Sequence, residues 1–181
     1  MVNTRAAHRY ALAIIEVAEK TKLLDQVTRD FELIAMLVRE SRDFAVFLKS
    51  PVVNTQKKRV VFGDLLTGRV SDLTTKFILL LLSKYREGLL PEIIMQFQRL
   101  HDERLGILNV TVRTAIEFTK EENTRLVQQL EQQTGKKVRA RYVLDPPIRG
   151  GFIVQYDDTV WDASVHHQLE RLRQKFVDGT V

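Results

Sequence analysis

Four histidines, one glycine pair, a scatter of aspartates and two basic runs are the residues of this chain with chemistry to offer. Imidazoles ligate metals and move protons near neutral pH, so they come first. His166 and His167 are adjacent, and on a helix their side chains diverge by about 100°, so they do not converge on one ion as a pair four residues apart does. His8 and His101 have no second ligand at helical spacing, although Asp102 and Glu103 follow the latter. All four read as solvated surface residues. Gly150-Gly151 raises the question of a phosphate loop, but such a loop carries further glycines and runs from a strand into a helix with Lys and Ser or Thr behind it. Here the pair leads into Phe152 to Tyr156, a strand-like run, and glycine there serves positive φ or close packing. Asp145, Asp157, Asp158 and Asp162 fall at strand ends and turns, where Asp bonds locally, and none has an evident acid–base partner. The chain has no Cys, so cysteine nucleophiles, thiolate metal sites and disulfides are excluded. No catalytic, metal or cofactor constellation emerges, and an enzyme is disfavoured.

Lys57-Lys58-Arg59 and the stretch Lys136, Lys137, Arg139, Arg141 are the basic runs, in a chain of net charge +5. The second places three cations on one strand face but lacks the interleaved aromatics on which RNA-binding sheets stack bases. Solvated faces account for both. A basic RNA-associated helical and α/β binding protein is the alternative function.

The elements that would carry these residues divide in two. Up to Gly106 the 181-residue chain reads as helical. Asn3 or Thr4 caps a first helix running to about Lys20, in which Glu16 and Glu19 continue the amphipathic pattern and argue against a targeting presequence. A second helix spans Leu24 to Arg39 and a short one Phe44 to Leu48, before Ser50-Pro51 breaks the chain. Asn54 caps Thr55 to Leu66, Ser71 caps Asp72 to Tyr85 after the Gly68 break, and Pro91 suits the first turn of a helix ending near Arg104. From Ile107 the period becomes two: Leu108, Val110 and Val112 alternate with Asn109, Thr111 and Arg113. Thr119 and Glu122 form a capping box for a helix that Gly135 closes, and Lys137 to Tyr142 is a strand with one wet face. Phe152 to Tyr156 and Thr159 to Trp161 make a hairpin across Asp157-Asp158, and Ser164 caps a last helix through Leu169, Leu172 and Phe176. The expected class is α+β: a six-helix bundle over residues 1–105 followed by a small α/β domain over 106–181. No apolar run is longer than Phe77 to Leu82, far below the ~18 residues of a membrane-spanning helix, so no direct membrane insertion is expected.

Two helices carry more apolar surface than one core needs. Helix one offers Ala11, Ile14, Ile15 and Ala18 to a core, yet Tyr10, Ala13 and Val17 add a second stripe at i, i+3, i+7. In Phe77 to Leu82 nearly every direction is apolar, so helix five is either wholly internal or faces a partner. The functional reading is a groove between helices one and five that accepts an amphipathic helix.

Arg9-Tyr10-Ala11 with Ala18, Ser50-Pro51 followed by Lys57, and above all Asp145-Pro146-x-Ile148-x-Gly150-Gly151 with Asp162-x-Ser164-Val165, Leu169 and Leu172 resemble the delta subunit of F-type ATP synthases. The mitochondrial counterpart is the oligomycin sensitivity-conferring protein. The resemblance spans essentially the whole chain. It implies a non-catalytic stator subunit with no cofactor, no metal and no nucleic acid, which resists rotor torque during proton-driven ATP synthesis. Its helical domain would bind the amino-terminal helix of an alpha subunit of the catalytic head, and its carboxy-terminal domain the b-type peripheral stalk subunits. Carried over by position, the groove residues are Tyr10, Ala13 and Val17 of helix one and Lys76, Phe77 and Leu80 of helix five. The implied location is peripheral, on the cytoplasmic face of the cell membrane, as in a bacterial member.

Overall fold

A computed structural model describes residues 2–50, 53–66, 68–156 and 159–177. They form two compact units, Met1–His101 and Asp102–Val181.

Among the described residues the first unit is helical: α1 (Val2–Lys20), α2 (Leu24–Glu40), α3 (Arg42–Lys49), α4 (Thr55–Leu66), α5 (Asp72–Ser83), a 3-10 turn at Glu87–Leu89, and most of α6 (Leu90–Arg104). The caps explain where several of these begin. Ser41 Oγ accepts from the Phe44 amide, Asn54 Oδ1 from Gln56, and Ser71 Oγ from Thr74, each satisfying an amide that the first helical turn leaves without a partner. Asn3 and Thr4 are not caps, because α1 already begins at Val2 and both lie within its first turn. Helix α5 ends at Ser83 rather than Tyr85: the Lys84 amide is shared among the carbonyls of Leu80, Leu81 and Leu82, and Tyr85 turns to a left-handed φ of 56°. Pro51, the predicted break, lies outside the described residues, and α3 stops at Lys49 with Ser50 extended at φ −68°, ψ 119°.

One core fills this unit. Ala7, Ala11, Ile14, Ile15 and Ala18 of α1 are buried together with Phe31, Ile34, Ile78, Leu82, Ile93 and Phe97. Phe31 stands at its centre, with its ring centroid 4.6 Å from that of Phe97 and 6.0 Å from that of Phe77. Small alanines on α1 let that helix approach closely, and the aromatics fill the space between the others.

The second unit is a four-stranded mixed sheet in the order β2-β1-β3-β4, with β1 (Ile107–Thr114), β2 (Lys137–Leu144), β3 (Phe152–Tyr156) and β4 (Thr159–Asp162). Helix α7 (Lys120–Thr134) makes the crossover that a parallel β1–β2 pair requires, and a second 3-10 turn at Pro146–Ile148 precedes β3. In register, Val110 faces Ala140, Val112 faces Val154, and Val154 faces Trp161. The period of two puts Val110, Val112 and Val154 on one face, where they are buried with Leu126 and Leu130 of α7. The Thr119–Glu122 capping box opens α7 and Gly135 closes it at φ 66°. The predicted turn residues Asp157 and Asp158 lie outside the described residues; β3 and β4 on either side pair antiparallel. Helix α8 (Val165–Val177) ends the described chain, with Ser164 Oγ accepting from the His167 amide.

Candidate functional site

The groove residues sit on two helices whose starts are differently built. Helix α5 is anchored at its first turn by Asp30 of α2, a buried carboxylate whose Oδ2 accepts from the Ser71 amide at 2.8 Å, Ser71 Oγ at 2.6 Å and Thr74 Oγ1 at 2.7 Å. With that turn pinned, the 100° step of the helix sends Thr74, Phe77, Ile78, Leu81 and Leu82 inward, and Lys76 and Leu80 toward solvent. On α1 the same step separates the buried stripe from a neighbouring one in which Ala13 is exposed and Val17 is 44% exposed.

Tyr10 and Phe77 bring the two helices together. Their rings meet edge to face, with centroids 6.5 Å apart and planes at 72°. Tyr10 is half-buried and packs on the core and Phe77 is itself buried, whereas Ala13, Val17, Lys76 and Leu80 are exposed. Leu80 is 46% exposed, and α5 is therefore not wholly internal despite its continuous apolar run. An apolar face with a lysine beside it, framed by the aromatic pair, offers shape and hydrophobic area but no reactive group.

The other residues with chemistry to offer serve structure. His8 and His166 are exposed, whereas His101 is half-buried with its ring stacked on Phe97 at 6.0 Å and 6°, a packing role that its spacing did not announce. Asp102 accepts from Asn109 at 2.6 Å and from Arg139 at 3.0 Å, and Asp145 pairs with Arg113. No group of three or more potential metal ligands occurs among the described residues. Gly151 adopts φ 74°, and a Cβ there would lie 2.4 Å from the Ala163 carbonyl oxygen, so the glycine pair serves a close backbone approach. The run Lys57-Lys58-Arg59 is not one solvated patch: Lys58 is buried, its Nζ 2.7 Å from Glu87 Oε1 and 3.2 Å from the Leu48 carbonyl. Charge alone could not reveal this, because only the 3-10 turn brings Glu87 to it.

A second exposed apolar face was missed. On α8, Val165, Leu169, Leu172 and Phe176 are 41–69% exposed and follow i, i+4, i+7, i+11 spacing, so they form one stripe. Periodicity in the sequence gives the helix through Leu169, Leu172 and Phe176 but not what its apolar side faces. His166 and Arg173 stand at its borders and no acid does.

Known proteins resemble the chain over nearly its whole length. A family model described as ATP synthase delta (OSCP) subunit matches residues 6–176. The ATP synthase subunit delta of Chlorobium phaeobacteroides strain BS1 is 43% identical over 173 residues, covering 96% of each chain. That of Chlorobaculum tepidum is 38% identical over 177 residues and 98% of each. A chain in the cryo-EM structure of the Toxoplasma gondii mitochondrial ATP synthase hexamer superposes with a TM-score of 0.74 at 21% identity, over 94% of this chain and 97% of that one, and so shares the fold.

Proposed function

The chain belongs to the ATP synthase delta (OSCP) subunit family, whose members are structural and not catalytic subunits of the F-type complex, and from that premise we propose a two-ended connector. The face of α1 and α5 holds the amino-terminal helix of an alpha subunit of the catalytic head, and the second unit holds the b-type peripheral stalk subunits. The connector thereby resists rotor torque during proton-driven ATP synthesis, on the cytoplasmic face of the membrane. Among the described residues no helix is long and apolar enough to cross a bilayer, which is consistent with peripheral attachment.

The single observation that carries the head-binding end is the exposure of Val17 and Leu80 on either side of the Tyr10–Phe77 contact. A helix laid there buries apolar area at about 25 cal/mol per Å², and the tyrosine and phenylalanine rings give it a rigid bed. The α8 stripe supports the stalk-binding end, because it is continuous, apolar and uncovered among the described residues. The basic runs favour no nucleic-acid reading, since Lys58 of the first and Arg139 of the second already have carboxylate partners.

The test is binding of a labelled alpha-subunit amino-terminal peptide to the full chain, followed by anisotropy across a range of salt. Leu80→Asp and Ala13→Asp are expected to weaken binding by about tenfold or more with little change in melting temperature. Affinity in the unsubstituted chain should depend weakly on salt, because few charges are screened. Parallel loss of melting and binding would return these residues to the core. No affinity for the peptide, with RNA binding that survives physiological salt, would overturn the reading.

A further inference from the structure

The second unit contains a cavity of about 490 Å³, in the ~300–1,000 Å³ range of small-ligand sites, to which Ile116, Phe118, Arg125, Leu126, Arg149 and Phe152 contribute. Much of its wall is apolar. Leu126 is buried, Phe118 meets Phe152 edge to face at 6.1 Å and 89°, and Ile116 is 73% exposed beside them.

Two arginines reach this wall by different routes. Arg125 comes from α7, whereas Arg149 ends the Pro146–Ile148 turn in a left-handed conformation, φ 63°, which non-glycine residues seldom adopt. The two residues that follow are fixed in turn: a Cβ on Gly151 would lie 2.4 Å from the Ala163 carbonyl oxygen, and the Gly150 carbonyl accepts from the Val165 amide at 3.0 Å. Strain maintained by packing at the rim of a cavity is typical of binding loops. The Arg149 amide donates to the Pro146 carbonyl at 3.0 Å, but its guanidinium has no hydrogen-bond or ion-pair partner among the described residues, while those of Arg113 and Arg139 are paired. Glu122, on the same lining, is turned to the helix start, where its Oε2 accepts from the Thr119 amide at 2.8 Å and from Thr119 Oγ1 at 2.9 Å, and it makes no ion pair with Arg149.

We propose that this cavity binds an apolar group bearing a carboxylate, with the hydrocarbon against Phe118, Leu126 and Phe152 and the carboxylate on the Arg149 guanidinium. A guanidinium presents parallel N–H donors that match the two carboxylate oxygens, and adjoining apolar surface strengthens the pair by excluding water. Two sources supply that chemistry: a free aryl or alkyl carboxylic acid, or the carboxyl terminus of a polypeptide ending in an apolar residue.

The experiment is an amide NMR titration of the full chain with phenylbutyrate, phenylbutyramide, acetyl-Leu-Phe with a free carboxylate, and the amide of that dipeptide. Saturable shifts confined to the segments 115–126 and 149–152 are expected for at least one acid, with about tenfold weaker binding of its amide. In Arg149→Asn, a residue that tolerates the left-handed conformation, the acid should bind no better than the amide, and the amide should bind as before. Saturation by phenylbutyrate alone assigns a free acid, and tighter binding of the dipeptide assigns a chain terminus. Equal affinity for acid and amide, an unchanged affinity in Arg149→Asn, or no saturable shift in these segments with either acid would overturn the proposal.

Discussion

Thr74 Oγ1 lies 2.7 Å from Asp30 Oδ2, and this bond ties the first turn of α5 to α2 across 44 positions of sequence. The same oxygen accepts from the Ser71 amide and hydroxyl. Asp30→Ala should therefore destabilise the first unit by about 3 kcal/mol, because three buried donors lose one charged acceptor. Asp30→Asn, which keeps a carbonyl oxygen, should cost less. Urea unfolding of both variants measures the difference, and peptide affinity should fall in proportion to the disorder introduced at the start of α5.

Lys58 and Glu87 form a buried ion pair at 2.7 Å, with side chains 3% and 10% exposed and Glu87 Oε2 left without a protein partner. Removing one partner strands a charge, so Lys58→Met alone should cost about 3–5 kcal/mol. Lys58→Met combined with Glu87→Met should recover most of that loss, since an apolar pair of similar volume needs no compensation. A double-mutant cycle in urea gives the coupling directly.

Glu122 is held below the ordinary glutamate range, chiefly by the Thr119 amide and next by the Thr119 hydroxyl. Its folded-state pKa being the lower one, the unfolded chain takes up the proton first as pH falls. The carboxylate's contribution is thus fully present above the ordinary value of about 4.3 and disappears as pH drops through the folded-state value. Glu122→Gln retains a capping side chain without the charge, so its melting temperature should lie below that of the unsubstituted chain at neutral pH and converge with it in acid. Thermal melts between neutral pH and about pH 3 check the sign.

Gly151→Ala should destabilise the second unit by at least about 1–2 kcal/mol, since the new methyl meets backbone atoms at 2.4 and 3.0 Å where φ is already 74°. Gly63→Ala, on α4 with nothing within 4 Å of the added carbon, should instead stabilise by up to about 1 kcal/mol. Opposite shifts in melting temperature for the same chemical change separate local geometry from glycine content.

Local signals were legible where a few neighbouring residues decide the outcome. The Thr119–Glu122 reciprocity, the closing Gly135 and the alternation of Ile107 to Thr114 depend on bonds within a turn or along a strand, and each stands where its residues placed it. What depends on distant partners was not legible. In Phe77 to Leu82 every residue is apolar, and it takes distant partners, the Asp30 anchor at the first turn and the Phe31 ring against Phe77, to turn Phe77 inward and leave Leu80 out. Lys58 looks like its basic neighbours until the 3-10 turn delivers Glu87. The α8 stripe illustrates the converse, because period 3.6 reports that a helix has an apolar side and is silent on what covers it.

The position of β2 gives its basic residues a further meaning. As one of the two outer strands of the sheet, eight residues long, it presents an open backbone edge on which identical chains can pair, and of that edge the Val138 amide is covered by Glu131 Oε1 at 3.0 Å. Lys137, Arg139 and Arg141 occupy every second position along it, and a second copy aligned edge to edge would bring these like charges together. The residues that suggest a nucleic-acid surface are thus charges set along an open strand edge, the placement that disfavours edge-to-edge pairing, with Arg139 also tied to Asp102.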